Sequence, residues 1–363
     1  MGQPLTPLRV GIIGCGNIIA QYLDTFARLS SVELVAVADL VPERAEEVAS
    51  RVPGVRALSI DELLAADDIR LVVNLTIPAA HAEVALRIIA AGKDVYTEKP
   101  LTSDAESAVA VLSAASAAGV WVGCAPDTVL GTGIQTARKA VDDGLIGRPI
   151  SATATMMTAG HERWHPNPDF YYLPGGGPLL DMGPYYVAAL IQLLGPVVSV
   201  VGAASRTRDE RVIGSGARAG ERIPVEIDTH ISAVLTHASG ALSTLVMSFD
   251  AVATKASNIE VHGEAGSLVV PDPNNFAGEV QLNALGGDGW QALPVSAGYV
   301  EAGRGVGIHD RAVVGPEAAR ASGAVGFHSL DVMLSVLRSA DEGRPVAIES
   351  AVERPSAVPL SEL

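Results

Sequence analysis

A short apolar run, Leu8 to Ile13, breaks at Gly14-Cys15-Gly16, and a helical pattern opens directly behind it, from Asn17 to about Leu29. No other stretch constrains the fold as much. Six residues, apolar but for Arg9, are too few for a buried helix and suit a strand covered on both faces. The same rhythm continues downstream. Val32 to Ala38 precedes a helix at Pro42 to Arg51, where proline suits the first turn because its missing N–H would be unpaired there. A short helix is expected at Asp61 to Ala66. Leu71 to Leu75 leads to a helix at Ala80 to Ala91, Asp94 to Thr97 to one at Ser103 to Ala118, and Val120 to Cys124 closes the series. Strands alternating with helices of this length imply parallel βαβ units in a doubly wound sheet.

The rhythm changes after Ala125. Ile134 to Asp143 reads as a helix, and the runs that follow alternate with period two: Ile150 to Met157, Val197 to Ala204, Asp228 to His237, Ala241 to Phe249 and Asn258 to Gly263. Such runs fit an antiparallel or mixed sheet with one less buried face. Pro184 to Leu194 and Phe327 to Arg338 read as helices, and the Gly-rich stretch Gly286 to Gly307 as loop. A chain of 363 residues suits two domains. The boundary falls near Ala125 to Gly133, giving residues 1–126 and 127–363.

Glycines between a strand and a helix let the backbone approach a pyrophosphate, and the free N–H groups of the helix start favour its charge. That assigns Gly14, Gly16, Asn17 and Ile18 to a dinucleotide. Asp39 closes the next strand, where its carboxylate can accept both ribose hydroxyls and would repel a 2′-phosphate, so NAD is favoured over NADP. Arg44 stands within reach of a 2′-phosphate if Asp39 swings aside. Ile19 replaces the third glycine of the usual fingerprint.

The partners are narrowed by charge. With 25 Lys plus Arg against 41 Asp plus Glu, the formal charge is -16, which argues against nucleic acid or an anionic membrane as main partner. Cys15 and Cys124 do not make a disulfide framework, so a reducing compartment is expected. Met1 to Arg9 lacks the basic and apolar regions of a leader, and no apolar run is long enough to span a membrane. The expectation is a cytoplasmic protein.

Four stretches together resemble the Gfo/Idh/MocA oxidoreductases. They are Val10-Gly11-Ile12-Ile13-Gly14-Cys15-Gly16-Asn17-Ile18, Asn74-Leu75-Thr76-Ile77-Pro78 with His81, Gly92-Lys93-Asp94-Val95-Tyr96-Thr97-Glu98-Lys99-Pro100, and Gly175-Gly176-Gly177-Pro178-Leu179-Leu180-Asp181-Met182-Gly183. The resemblance implies an N-terminal Rossmann domain and a C-terminal α/β domain whose large open sheet mediates a homodimer or homotetramer. It implies action on sugars or cyclitols, and adds Thr76, Pro78, His81, Glu98 and Lys99 to the cofactor contacts.

Oxidising a secondary alcohol needs the carbon's hydrogen facing C4 of the nicotinamide and a base for the hydroxyl proton. Lys99 matches the family's catalytic lysine, and a cationic nicotinamide nearby would lower its pKa. Asp181 and Tyr185 are four residues apart on an expected helix, which puts both on one face. Most relatives carry histidine at the position of Tyr185, although some sugar oxidoreductases have tyrosine. A tyrosine, with an ordinary pKa of about 10, needs a cation to act as base. Lys99, Asp181 and Tyr185 are therefore the expected catalytic group, with His165 the alternative base.

His161-Glu162-Arg163-Trp164-His165 has the spelling of a zinc-protease motif, but that motif requires a helix, and Pro166 and Pro168 oppose one. No metal is expected. The stretch His161 to Tyr172 gathers Trp164, His165, Asp169, Phe170, Tyr171 and Tyr172 in a chain that is only 4% aromatic. Aromatic faces with interleaved polar groups suit a sugar ring, and equally a satellite core or a subunit contact. Trp164, His165, Tyr172, Asp181 and Asp127 are the expected substrate contacts. His309 and Asp310 are expected in a loop near the pocket, and Cys15 in packing.

The leading expectation is an NAD-dependent dehydrogenase or reductase of a ring hydroxyl or ketone on a sugar, cyclitol or glycoside. A glycoside-cleaving enzyme using transient oxidation and elimination is the alternative. A non-catalytic dinucleotide sensor stands behind both, because Lys99 and Asp181 are present.

Overall fold

The computed structural model describes residues 6–363. Met1 to Leu5 lie outside the described residues, and with them part of the segment read above for a leader. Among the described residues no helix is long and apolar enough to cross a membrane. The chain forms two compact units.

The first unit holds a six-stranded parallel sheet. Its elements are β1 (Leu8–Ile13), α1 (Ile19–Phe26), β2 (Val32–Ala38), α2 (Pro42–Arg51), β3 (Arg56–Ala57), α3 (Ile60–Ala65), β4 (Leu71–Asn74), α4 (His81–Ala90), β5 (Asp94–Thr97), α5 (Ala105–Ala118) and β6 (Val122–Cys124). The strand order is β3-β2-β1-β4-β5-β6. Every residue of β4 and β5 is buried, as strands covered on both faces must be. The helices start where the local chemistry allows. Ser59 and Glu62 form a capping box at α3, and Asp104 accepts the Ser107 N–H at 2.8 Å at the head of α5. Gly119, left-handed at φ 66°, ends α5.

The second unit is built on a nine-stranded mixed sheet. It begins with α6 (Thr132–Asp142), β7 (Pro149–Met157), α7 (Pro178–Leu194) and β8 (Val197–Ser205). A small ribbon, β9 (Glu210–Val212) with β10 (Arg222–Pro224), is followed by β11 (His230–His237), β12 (Leu242–Ser248), β13 (Ile259–Gly263), β14 (Gly266–Val270), β15 (Gln281–Ala284) and β16 (Gln291–Ala292). The chain passes through α8 (Val306–Val314), which belongs to the first unit, and α9 (Gly323–Glu342) before β17 (Val346–Ala347) completes the sheet, ordered β16-β15-β14-β13-β7-β12-β11-β8-β17. Only β12 and β7 run parallel. Along β11, Ile231, Ala233 and Leu235 are buried while Val234 is exposed, so one face carries the core. From Gly183 to Leu194, α7 is buried on every side and forms the centre of that core.

The structure departs from the sequence expectations in three ways. α7 starts at Pro178, not Pro184, because Pro178 supplies a preset first turn and Pro184 is accommodated inside the helix. The stretch expected as loop contains β16 and the start of α8. The division at residue 126 is too simple. The chain stays in the first unit to Gly131, and residues Tyr299–Phe327 and Leu360–Leu363 return to it. Cys124 N–H donates to Ala321 O at 3.0 Å, and the buried Asp127 carboxylate accepts the N–H groups of Gly305 at 2.8 Å and Gly307 at 3.0 Å.

Candidate functional site

In the first unit the chain order reverses between β1 and β4, and a crevice of this kind, beyond the carboxyl ends of the strands, is where open α/β sheets bind ligands. Gly14 sits there at φ 105°, and a Cβ on it would come within 2.7 Å of the Leu75 backbone. Only glycine fits. A Cβ on Gly16 would meet nothing within 4 Å, so that face of the turn is open. The N–H groups of Gly16, Asn17 and Ile18 have no hydrogen-bond partner among the described residues and precede α1. They fit a pyrophosphate.

Asp39 braces this turn. Its Oδ2 accepts the Cys15 N–H at 2.7 Å and its Oδ1 the Val41 N–H at 2.9 Å. A carboxylate has about four acceptor sites, so two hydroxyls can still be received. Asp39, Leu40, Pro42, Leu58 and Ser59 line a cavity of about 460 Å³, and Leu40 stands 88% exposed beside it. Room for a planar ring, next to an acceptor for ribose, fits the adenosine half of a dinucleotide. Arg44 is exposed on the first turn of α2, close enough for its charge to act on the Cys15 thiol. Burial first, and Asp39 second, push that thiol up to about 12. Cys15 and Cys124 are both buried free thiols.

The turns after β4 and β5 are tied together. Asn74 Nδ2 donates to His81 O at 3.0 Å, and its Oδ1 accepts the Thr76 hydroxyl at 2.7 Å. His81 is fully buried, with Nδ1 2.7 Å from Pro100 O and Nε2 3.0 Å from Thr76 O. The neutral ring satisfies one carbonyl, and burial holds its pKa below the ordinary value. His81 therefore acts as a clip between two turns, not as a group open to cofactor, which corrects the expectation. Pro78 opens the single turn Pro78–Ala80. Glu98 joins the third turn to α1: its Oε1 accepts the Tyr22 hydroxyl at 2.8 Å and its Oε2 the Lys99 N–H at 3.0 Å. Lys99 follows at the carboxyl end of β5, half-buried. Tyr22 and Asn74 were missed from sequence. An asparagine ending an apolar run was the available signal.

In the second unit Asp181 lies in the first turn of α7 and Tyr185, buried, one turn later. The segment before α7 is not a zinc helix. His161–Arg163 is one 3₁₀ turn, and the two histidines diverge: His165 Nδ1 accepts the Asn167 N–H at 3.1 Å, while His161 Nε2 lies 3.2 Å from Asp181 Oδ2. Gly160 permits this approach, since at φ 106° a Cβ there would come within 2.1 Å of Glu162 Oε2. Trp164 and Phe170 remain 58% and 56% exposed, joined through His165 and Tyr171 in edge-on contacts.

Two expected substrate contacts are corrected. Tyr172 is 0% exposed, its hydroxyl bonded to Glu162, with Arg211 5.1 Å above its ring. Asp127 is fully buried on the amides of Gly305 and Gly307, and burial raises its pKa despite them. His309 and Asp310, expected in a loop near the pocket, lie instead in α8, where His309 bonds Ser31 and Asp310 bonds Tyr299 and Arg320. Arg211 was also missed. Fully buried, it pairs with Glu162 at 3.0 Å and with Asp250.

Residues 8–125 match the description "Oxidoreductase family, NAD-binding Rossmann fold", and residues 134–269 match "GFO/IDH/MocA C-terminal domain". An inositol 2-dehydrogenase of Rhizobium meliloti is 28% identical over 79% of this chain and 82% of its own. A 1,5-anhydro-D-fructose reductase of Ensifer adhaerens is 26% identical over 95% of this chain and 99% of its own. A levoglucosan dehydrogenase solved with NADH and L-sorbose superposes with a TM-score of 0.77 at 22% identity, over 94% of this chain and 99% of that one.

Proposed function

The chain belongs to the Gfo/Idh/MocA oxidoreductase family and has its NAD-binding Rossmann domain, and from that premise we propose that it moves a hydride between NAD and a secondary ring hydroxyl or ketone of a sugar or cyclitol. The observation that carries this reading is the turn after β5. Glu98 bonds Tyr22 of the phosphate-side helix and the Lys99 N–H, which supports Lys99 at the cofactor edge of the sheet.

The first unit's amides at Gly16, Asn17 and Ile18 would hold the pyrophosphate, and Asp39 the adenosine ribose. Bound NAD supplies the hydride acceptor. The chain's own residues handle the proton and the ring. Lys99 hydrogen-bonds the reacting oxygen or relays its proton. Asp181 orients the substrate, and the Tyr185 hydroxyl exchanges a proton with the reacting oxygen. Trp164 offers an exposed aromatic face to the C–H side of the sugar, with His165 beside it. The free thiols of Cys15 and Cys124 support a reducing, cytoplasmic setting. Val201, Val234 and Leu242 are exposed on the outer face of the sheet and support a homodimer or homotetramer. Sedimentation as a monomer at micromolar concentration would contradict that.

The test is a screen of sugars, inositols and glycosides with NAD and NADP, read as reduced nicotinamide. Reduction equal to product supports a dehydrogenase, whereas product without net reduction points to transient oxidation and elimination. Lys99→Arg and Tyr185→Phe should each lower kcat by about 10²- to 10⁴-fold. Normal turnover in either variant removes that residue from the mechanism.

A further inference from the structure

His161 is buried at 8% exposure and caged by rings, with centroids 4.4 Å from Phe249, 4.7 Å from Tyr171 and 5.1 Å from Trp164. Its backbone N–H donates to the Tyr172 hydroxyl at 3.1 Å, and Tyr172, Glu162 and Arg211 continue that bonded chain. The ring therefore has little freedom. Its Nε2–H meets Asp181 Oδ2 at 3.2 Å, and its buried Nδ1 has no hydrogen-bond partner among the described residues. A histidine kept only for packing would be expected to satisfy both nitrogens. This one has a single directed polar contact, and it falls on the carboxylate of α7.

We propose that His161 is a positioning residue that holds the Asp181 carboxylate in its ionised form and in one orientation. The proposal rests on the reading of Asp181 as a site residue. It supplies an imidazole from a preceding loop to a helix that offers a tyrosine, Tyr185, one turn after the aspartate. With its proton on Nε2 the ring donates to the carboxylate, and a bond donated to the charged form lowers a carboxylate's pKa. Removing the donor therefore raises the pH at which Asp181 loses its charge. Besides Asp181, the ionisable side chains joined to His161 through ring contacts or bonds are His165, Tyr171, Tyr172, Glu162, Arg211 and Asp250, and the same segments carry Arg163, Asp169 and, on α7, Tyr185.

Full-length enzyme with NAD and a sugar from the screen would be compared with H161F, H161Q, D181N and H161F/D181N. Phenylalanine fills the cage without a donor. H161F should lower kcat about ten- to a hundredfold, with the NAD Kd within about twofold of wild type. The acidic limb of kcat/KM should move to higher pH by up to about one unit. H161Q, with an amide N–H in place of the ring donor, should recover most of the rate, and H161F should add no further loss to D181N. Wild-type kcat with an unmoved limb in H161F, no recovery in H161Q, or additive losses in the double variant would overturn the proposal. If H161F does not fold, ¹⁵N imidazole shifts of the wild type decide, since a ring protonated on Nδ1 instead of Nε2 also overturns it. A screen in which no sugar reacts breaks the functional reading but leaves that tautomer measurement standing.

Discussion

The polar groups around Gly14 and those around Asp181 are organised differently. At Gly14 they brace the turns after successive strands: Cys15 N–H on Asp39 across β1 and β2, the Thr76 hydroxyl on Asn74 at the end of β4, and the Tyr22 hydroxyl of α1 on Glu98 after β5. What they leave facing the crevice is backbone, the open N–H groups of Gly16, Asn17 and Ile18. At Asp181 the contact comes from His161 on a 3₁₀ turn, held in turn through Tyr172 and Glu162 by Arg211 on β9, which pairs with Asp250 after β12, and all depend on side chains. A site made from backbone suits the invariant part of a ligand, here a pyrophosphate. A site made from side chains can be altered one residue at a time, which suits the part that differs between substrates.

The sharpest way to break this contrast is Arg211→Met. It leaves Glu162 and Asp250 buried without their cation, so stability should fall by about 3–5 kcal/mol in urea unfolding of the second unit. NAD affinity should change little if the first unit organises its own turn. Gly14→Ala attacks the other side. The strained backbone alone costs about 1–3 kcal/mol, and the clash with Leu75 should weaken NAD binding about a hundredfold by fluorescence titration. Normal NAD affinity in that variant would refute the backbone argument.

Trp164→Ala should raise the sugar KM about fivefold, the value of one aromatic contact, and leave the NAD Kd alone. An unchanged KM would make the exposed ring a subunit contact instead. The smallest effect concerns Cys15. With its thiol pushed up to about 12, alkylation at neutral pH should be slow and quicken as pH rises. Asp39→Asn removes a nearby negative charge that favours the protonated thiol, so it should speed alkylation. An unchanged rate would uncouple the two residues.

The same contrast explains what could be read in advance. β2 and α2 were legible to the residue, because an apolar run and a proline at a helix start are local signals. The Gly14 turn was legible for the same reason. α7 was cut short in the reading because Gly175 to Gly177 and Pro184 look like breakers, while its burial on all sides is a tertiary fact. The contact of His161 with Asp181 joins residues 20 apart through a loop whose path is set by Gly160 and Arg211. No periodicity encodes it. Tyr172 and Asp127 were misjudged because residue type and proximity to a motif say nothing about burial.

The return of Tyr299–Phe327 and Leu360–Leu363 to the first unit has a consequence for biosynthesis. The strand series that leaves the ribosome first is the last to be completed. β6 waits for Ala321, and the buried carboxylate of Asp127 waits for Gly305 and Gly307, until the intervening residues 132–298 have been translated. During that interval the nascent chain carries an unfinished parallel sheet, a state prone to association and a natural client for a chaperone. A message truncated after residue 298 would leave it in that state permanently.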